Sequence, residues 1–451
     1  NSVQYGLLLF MLAAGLTLIF GIMGVVNLAH GSFYMLGAMV AGYLITQVWG
    51  SGSDQASIYL AAMLLGALCA AFLGAVAEWC LFRPLRHSPP LYPLVATFGL
   101  CLVIHDVLLA WMGPAEIFAP RFPGLKGSLQ IGEDFFPQWQ LLTLLLGPLV
   151  WWGLHLLLTK TRWGGQVRAA TQDRQMLDAL GVNPAPLMMG VVVLGCGLAG
   201  LAGALQLPRE PANLQMDLQM VVETFVVVVM GGLGSISGAF FASLIIGCVH
   251  AFGIYFFPQA TLVLIFFTMA LVLAWRPQGL MGELPGAAQR EKVPAFKGWN
   301  SQRMLLWSSL ALWFLVSLLL LVVTPYTQHV LEDVLIMMLF GLSLQAMMAL
   351  SGWVSFGHAA YFGLGAYAAA LSHLHWGFNA VQAAGSGILV ACLAAIAMSQ
   401  LLQRSAGVYL AMLSLAFAQM VWAGASQWIA VTGGDNGLIG LALMDTSSRM
   451  L

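Results

Sequence analysis

The chain has 451 residues, of which 60% are hydrophobic and only 7% are charged, and its formal net charge is −1. A water-soluble domain needs a largely polar surface and cannot accommodate this much apolar side chain. The composition therefore excludes a soluble globular protein and predicts a polytopic, all-α transmembrane bundle.

Hydrophobic segments of membrane-spanning length follow one another along the chain. A bilayer core of ~30 Å takes about 20 residues of α-helix, so each apolar run of that order predicts one span. The stretch 221–256 is too long for one span and carries glycines at its centre, which predicts two helices that meet at a break. The break is formed by Gly231, Gly232, Gly234 and Ser235. The other spans predicted in this part are 5–26, 32–48, 58–82, 92–112, 139–158, 187–207 and 260–275.

A polar linker that contains prolines divides the chain into two parts. The linker covers 286–303, and it predicts a first membrane module over 1–285 and a second over 304–451. Since the chain starts at Asn1 without a methionine, we expect that its extreme N-terminus has been trimmed. The spans predicted in the second module are 304–323, 331–350, 357–374, 380–401 and 408–430.

One short stretch of sequence occurs twice. Residues 24–38 recur at 352–366, with six of fifteen residues identical at a constant offset of 328. Each copy places a histidine, preceded by an amide or a hydroxyl three residues earlier, within apolar sequence: Asn27 with His30, and Ser355 with His358. A repeated polar pair indicates two related membrane modules.

These polar residues have two interpretations. An unpaired polar side chain is costly in hydrocarbon, so each needs a partner, a cavity or a ligand. Each pair is spaced i, i+3, so it can share one helix face or line the opening where a helix breaks at Gly31 or Gly357, and in either case it would line a substrate pathway. The alternative is that each pair bonds neighbouring helices and fixes their packing. Glu223, just before the glycine break, either caps a helix start or faces a water-filled cavity.

The basic residues are distributed unevenly between the two sides of the membrane. Threading the chain through the predicted spans places twelve of the 16 Lys and Arg residues on one side. That side is predicted to be cytoplasmic, which places the N-terminus outside and the linker 286–303 inside. Because the segment 304–323 adds one crossing, the two modules are predicted to be parallel repeats.

Six motifs carry a resemblance to a known family. Their order and spacing resemble the permease subunits of the branched-chain amino acid ABC importers. Residues 1 to about 285 resemble the first permease subunit, and about 304–451 resemble the front half of the second. The motifs lie at 27–31, 165–182, 231–235, 276–280, 355–359 and 432–435.

The resemblance implies a division of labour between polypeptides. It implies a transport component without enzymatic activity, two cytoplasmic ATPase subunits that use ATP, and a periplasmic or extracellular substrate-binding protein. The chain itself is expected to bind no cofactor and no nucleic acid, and to lie among lipids of the bacterial inner membrane. The sequence fits this expectation, since it contains no Gly-Lys dipeptide and therefore no phosphate-binding GxxxxGK[ST] motif.

A basic loop in the first module resembles the coupling helix of the family. The general motif has Glu-Ala-Ala before its glycine, whereas this chain has Gln175, Met176 and Leu177. The loop is predicted to dock an ATPase, and the alternative is a solvated amphipathic connection. The residues assigned to docking are Arg168, Asp173, Arg174, Gln175, Asp178 and Gly181.

The second module is predicted to lack a coupling loop and a closing span of its own. We therefore expect either a truncated fusion or a further permease subunit that completes it. Members that resemble this family carry branched-chain or other amino acids, amides, urea or small organic acids, and leucine, isoleucine and valine are the default expectation.

Other function classes receive less support from the sequence. The six cysteines lie singly in hydrophobic runs, so we expect neither disulfides nor a metal site. An intramembrane enzyme would need a clustered nucleophile and base or a motif such as HExxH, and the sequence shows neither. An ion-coupled secondary transporter that uses His30 and His358 as a proton relay is the alternative that remains open.

Overall fold

The structure is a computed structural model. It describes residues 2–50, 55–88, 91–131, 134–172, 174–282, 307–311, 313–314, 325–403 and 408–438. The helices of the first part are α1 (Ser2–Met23), α2 (His30–Tyr43), α3 (Ala56–Ala77), α4 (Leu91–Met112), α5 (Gln138–Lys160), α6 (Arg162–Gln172), α7 (Arg174–Ala179), α8 (Pro184–Gln206), α9 (Met216–Gly231), α10 (Ile236–Phe256) and α11 (Thr261–Trp275). Those of the second part are α12 (Pro325–Ser351), α13 (His358–Trp376), α14 (Ala380–Leu402), α15 (Val408–Gln427) and the short α16 (Ile429–Thr432).

Short irregular elements extend and connect these helices. One π-helical turn, Leu44–Val48, continues α2, and another, Glu78–Phe82, continues α3. Short 3₁₀ helices cover Pro84–His87, Pro258–Ala260 and Gly434–Asn436. Between α4 and α5, β1 (Ser128–Ile131) and β2 (Asp134–Pro137) pair antiparallel, with Leu129 opposite Phe136.

The predicted all-α, polytopic class is confirmed. Among the described residues, 11 helices are long and apolar enough to cross a membrane. Helices suit this environment because they satisfy their own backbone hydrogen bonds where lipid offers no partner. The two strands connect the ends of two spans and leave this classification unchanged.

Two helix boundaries differ from the sequence pattern. The span predicted over 5–26 ends earlier, because α1 stops at Met23 and Gly24 takes a φ of 64°, a conformation that ends a helix. The stretch predicted over 221–256 divides between Gly231 and Ile236, as predicted, but its first helix, α9, begins at Met216 instead of 221. Of the span predicted over 304–323, only 307–311 and 313–314 are described, and they are helical.

The described residues form two units. One consists of the described part of Asn1–Glu283 together with Trp422–Asp435, and the other of the described parts of Leu284–Val421 and of the residues from 436 onward. The module boundaries at 285 and 303 fall outside the described residues and stay a prediction.

In the first unit, α1, α2, α3 and α8 pack closely through small residues. A Cβ added to Gly37 of α2 would lie 2.1 Å from the carbonyl oxygen of Gly200 in α8. A Cβ added to Gly203 would lie 2.0 Å from the carbonyl oxygen of Tyr34. Real Cβ atoms do not approach this closely, so glycine permits the backbones to meet, as is common between membrane helices.

In the second unit, α13 packs on α14 through a similar glycine contact. A Cβ added to Gly387 would lie 2.6 Å from the carbonyl oxygen of Gly365. By contrast, α12 is poorly covered by the described residues, with Met337 63% and Leu339 70% exposed. Such side chains need lipid or another apolar surface around them.

Replacing Gly37 by alanine should lower the thermal stability of the protein in detergent. The added methyl group must separate α2 from α8, and overpacking of this kind costs about 1–3 kcal/mol. Gly99→Ala, in α4, is the matched control, since its added Cβ meets nothing within 4 Å. Equal melting temperatures for the two variants would contradict the close packing of α2 on α8.

Candidate functional site

A non-helical segment separates α1 from α2. Gly24 ends α1, and its N–H donates to the carbonyl of Phe20 at 2.8 Å. Within the segment, the side chain of Asn27 accepts a hydrogen bond from the Ala29 N–H at 3.1 Å, and Asn27 is fully buried. This local bond lets the chain turn inside the protein without leaving the Ala29 N–H unpaired.

A hydroxyl from a distant helix secures the same segment. The N–H of Leu28 donates to Oγ1 of Thr97, in α4, at 3.2 Å. The Thr97 hydroxyl in turn donates to the carbonyl of Leu94 at 2.8 Å, which fixes its orientation. Thr97 is fully buried, so it provides an acceptor where water is absent.

His30 is the first residue of α2 and is completely buried. Its Nε2 lies 3.0 Å from the carbonyl oxygen of Leu12, in the middle of α1. Because a carbonyl only accepts, Nε2 donates this bond. Nδ1 makes no hydrogen bond among the described residues. His30 thus ties the start of α2 to α1 and retains one free polar atom.

The residues after His30 bring α2 against the start of α9. A Cβ on Gly31 would lie 2.1 Å from the carbonyl oxygen of Asp217, so no side chain fits there. Ser32 Oγ donates to Oδ2 of Asp217 at 3.3 Å, and Cys101 Sγ approaches the same oxygen at 3.4 Å. Asp217 is 3% exposed and lies in the first turn of α9, where the helix dipole stabilises a carboxylate.

The second unit repeats this turn at the same offset of 328 residues. Gly352 has a φ of 70° and donates to the carbonyl of Met348 at 2.9 Å, as Gly24 does to Phe20. Ser355 takes the place of Asn27, and its Oγ accepts from the Gly357 N–H at 3.2 Å.

The distant hydroxyl is also reproduced in the second unit. The N–H of Phe356, which corresponds to Leu28, donates to Oγ of Ser414 in α15 at 3.0 Å. Ser414 is 2% exposed, and its hydroxyl donates to the carbonyl of Ala411 at 2.6 Å. Thr97 and Ser414 therefore have the same role in the two units, because each hydroxyl accepts a hydrogen bond from a backbone N–H of the turn.

The histidines differ in their partners. Nε2 of His358 lies 2.7 Å from Oγ of Ser343, whereas His30 bonds a carbonyl. Ser343 occupies the position that corresponds to Gly15, where an added Cβ would lie 3.1 Å from Nε2 of His30. His30 is fully buried, while His358 is partly exposed within the described residues. The turn is conserved between the units, but the surroundings of the histidine are not.

The predicted position of the helix break at Gly31 and Gly357 needs correction. Gly31 is the second residue of α2, and the interruption precedes His30. Gly357 immediately precedes α13, and a Cβ on it would lie 2.1 Å from the carbonyl of Ser414. Asn27 and Ser355 lie in the turns, so neither shares a helix face with its histidine.

The predicted helix cap at Glu223 is wrong. The helix α9 begins at Met216, so Glu223 lies in its interior, seven residues later. The carboxylate of Glu223 instead accepts a hydrogen bond from the hydroxyl of Tyr5, in α1. Its second interpretation, an acid that faces a polar space, stays a prediction.

The glycine break between α9 and α10 is closed by a later segment. The N–H groups of Leu280 and Met281 donate to the carbonyls of Met230 and Gly231 at 2.8 and 3.0 Å. Gly232 and Gly234 have φ angles of 103° and 85°, which glycine adopts without strain. Ser235 caps α10 by accepting from the Gly238 N–H at 3.1 Å. The carbonyls at the end of α9 are thereby satisfied.

The basic loop between α5 and α8 folds into two short helices, α6 and α7. Leu177 is 6% exposed and packs with Ala170 and Leu187. Its neighbours Met176 and Leu180 point outward, with 62% and 73% of their surface exposed.

The same loop carries the charged residues predicted to dock an ATPase. Arg168 and Asp178 are exposed, and Gly181 ends the loop with a φ of 81°. Arg174 and Gln175 begin α7, whereas Asp173 lies outside the described residues.

Comparison with known proteins places this architecture. The family model described as "Branched-chain amino acid transport system / permease component" matches residues 1–274. The chain belongs to this family. No solved structure matches it.

Curated relatives agree with the family match. The chain is 30% identical over 290 residues to the high-affinity branched-chain amino acid transport system permease protein BraD of Pseudomonas aeruginosa, which covers 62% of this chain and 94% of that protein. It is 28% identical over 288 residues to LivH of Salmonella typhimurium, with the same coverage. Similarity to LivM of Escherichia coli is lower, at 25% over 295 residues, covering 60% of this chain and 67% of LivM.

These matches confirm the resemblance drawn from the six motifs, and the chain is a transport permease component. They do not favour the ion-coupled alternative. Sequence reasoning missed Thr97, Ser414 and Asp217, although a threonine or an aspartate within a predicted span is a visible signal.

Thr97→Val should destabilise the protein by about 1–3 kcal/mol, because the buried Leu28 N–H loses its acceptor. Thermal unfolding in detergent would measure the loss, and Thr97→Ser should recover most of it. Thr143→Val is the matched control, since Thr143 is also buried and donates only to its own helix, at Gln140. If the control loses as much stability as Thr97→Val, the anchoring role is wrong.

Proposed function

We propose that the chain forms much of the translocation pathway of an ATP-driven importer for branched-chain or related amino acids. The observation that carries this proposal is the family match over 274 residues, together with relatives whose names state branched-chain amino acid transport. The chain's own geometry supports it, because two units each begin a helix inside the protein after a polar turn.

The polar turns are the proposed pathway elements. A zwitterionic amino acid carries a carboxylate, which suits N–H groups at a helix start, and an ammonium group, which suits carbonyl or side-chain oxygens. The residues proposed to line the path are Asn27, His30 and Gly31 in the first unit, Ser355 and His358 in the second, and Glu223 on α9. Nδ1 of both histidines has no hydrogen-bond partner among the described residues, which supports this role.

The loop formed by α6 and α7 is the proposed docking site for an ATPase. Met176 and Leu180 present apolar surface next to charged residues, which is typical of a protein interface. Leu177, packed beneath them, would transmit movement of the docked subunit to α8 through Leu187. Arg168 and Asp178 are exposed and supply polar groups to this surface. The family resemblance assigns Asp173, Arg174 and Gln175 to it as well, and Gly181 ends the docking helix.

The remaining parts of the proposed assembly follow from the family. Two cytoplasmic ATPase subunits would hydrolyse ATP, while this chain would bind no cofactor itself. A periplasmic or extracellular binding protein would deliver the substrate. The exposed apolar side chains of α12 support contact with lipid or a further permease subunit. The chain would lie in the bacterial inner membrane with its N-terminus outside and the linker 286–303 inside.

Reconstitution in proteoliposomes tests the transport mechanism. With the ATPases and the binding protein supplied, we expect uptake of labelled leucine. This uptake should require ATP on the side of the membrane where the ATPases are bound. A pH gradient alone should drive none. Accumulation of leucine under a pH gradient without the ATPases would overturn the proposal.

Leu180→Asp should reduce the amount of ATPase subunit that copurifies with the chain and abolish uptake. The change places a charge in the proposed apolar contact, where desolvating it is unfavourable. Leu129→Asp is the matched control, because Leu129 is 47% exposed in the hairpin at the other end of α5. Equal retention of ATPase by both variants would rule out the docking role.

A further inference from the structure

Five side chains in the first unit gather where α1 begins and α8 ends. This group, the Tyr5 cluster, consists of Tyr5, Arg209, Glu210, Glu223 and His250. The Tyr5 ring stacks on His250 with the ring centroids 4.2 Å apart, and the guanidinium carbon of Arg209 lies 5.5 Å from the centre of the same ring. One aromatic ring, that of Tyr5, thus joins three helices and a loop: α1, α9, α10 and the loop after α8.

The Tyr5 cluster contains more negative than positive formal charge. Nε of Arg209 lies 3.2 Å from Oε1 of Glu210, so the one guanidinium already has an anionic partner. Glu223 accepts from the Tyr5 hydroxyl and forms no ion pair among the described residues. A carboxylate surrounded by helices is stabilised best by a cation, and this one has none from the described part of the chain.

Buried polar atoms next to the cluster also lack partners. The hydroxyl of Tyr34 and Oε1 of Gln206 form no hydrogen bond among the described residues, although these residues are only 1% and 3% exposed. The backbone N–H groups of Arg209 and Glu210 donate to the Gln206 carbonyl at 2.9 and 3.1 Å. Tyr34 lies against the same end of α8, since a Cβ on Gly203 would be 2.0 Å from its carbonyl oxygen.

Unpaired polar atoms of this kind indicate a place for a polar ligand. Leaving one buried donor or acceptor unsatisfied costs about 1–3 kcal/mol of stability. Several such groups together therefore destabilise the protein unless a polar partner binds them. An ammonium group supplies three donors and one positive charge. It would bond the carboxylate of Glu223 and balance the excess negative charge, while Gln206 and Tyr34 offer further unpaired oxygens nearby.

We propose that the Tyr5 cluster is a binding subsite for a zwitterionic amino acid. Glu223 binds the ammonium group, and Arg209 binds the carboxylate by sharing its guanidinium donors between the ligand and Glu210. This inference rests on the proposed function, because it concerns the same substrate class. It adds a defined site whose members, apart from Glu223, the sequence pattern did not single out.

Ligand binding to the purified full-length chain, without ATPase or binding protein, tests the site separately from transport. The probes are L-leucine, 3-methylbutylamine, which lacks the carboxylate, and 4-methylpentanoate, which lacks the ammonium group. Binding of tritiated leucine would be measured by scintillation proximity, with the other two as competitors. We expect leucine to bind the wild-type chain and both analogues to compete with it.

Glu223→Gln should weaken leucine binding at least roughly 10-fold, the range for a hydrogen bond to a charged group, and should remove competition by 3-methylbutylamine. Arg209→Gln, in a partly exposed loop where folding is less at risk, should remove competition by 4-methylpentanoate and leave that of the amine. Glu116→Gln is the control, since Glu116 is exposed in another loop and loses the same charge.

Two results would overturn the subsite. One is no detectable leucine binding to the wild-type chain. The other is unchanged competition by both analogues in Glu223→Gln and Arg209→Gln, which would assign the cluster to helix packing alone. Uptake by the complete reconstituted importer is measured independently, so ATP-dependent leucine uptake with a negative binding result would reject the subsite and retain the proposed function.

Discussion

Helix interruptions within a bilayer leave backbone N–H and C=O groups that lipid cannot satisfy, and this constraint governs much of the chain. The protein meets it with distant partners at each interruption described above. Thr97 and Ser414 accept from the turns before α2 and α13. The segment that contains Leu280 and Met281 closes the end of α9. Because these bonds replace the missing helical ones, polar turns can lie inside the protein, where a pathway needs them.

The two units use one solution twice and then diverge. Both turns contain a glycine with positive φ and a side chain that accepts a hydrogen bond from the N–H two residues later. In both, a hydroxyl of a later helix accepts a hydrogen bond from the turn. The contacts of the histidine differ, because His30 meets a carbonyl and His358 meets a hydroxyl. The two units thus share the backbone turn and differ in the chemistry around the histidine.

Much of the fold and of the site could be predicted from the sequence. Apolar runs of the right length gave the spans, and the recurrence of 24–38 at 352–366 pointed to the two turns before they were seen. The family followed from six short motifs. Asn27, Ser355 and the histidines do lie in or beside the turns, although the sequence put the breaks one residue or more too late.

The rest depends on contacts between residues far apart in the chain. Leu28 and Thr97 are 69 residues apart, Phe356 and Ser414 are 58 apart, and Ser32 and Asp217 are 185 apart. Local periodicity has no information about such pairs. The start of α9 was misplaced for a related reason, since the polar residues before Glu223 resemble a loop, yet Asp217 is buried by Ser32 and Cys101 and the helix extends back to include it.

The glycine at position 15 makes the two halves impossible to interchange. A Cβ there would lie 2.4 Å from the carbonyl oxygen of Gly195, so α1 and α8 leave no room for a serine like the one that meets His358. In a chimera that carried the α12 residues in α1, a serine would replace Gly15. Its side chain would have to push α1 and α8 apart. The asymmetry between the copies is thus enforced by interhelical spacing, and it would persist in any rearranged version of the chain that kept α1 in contact with α8.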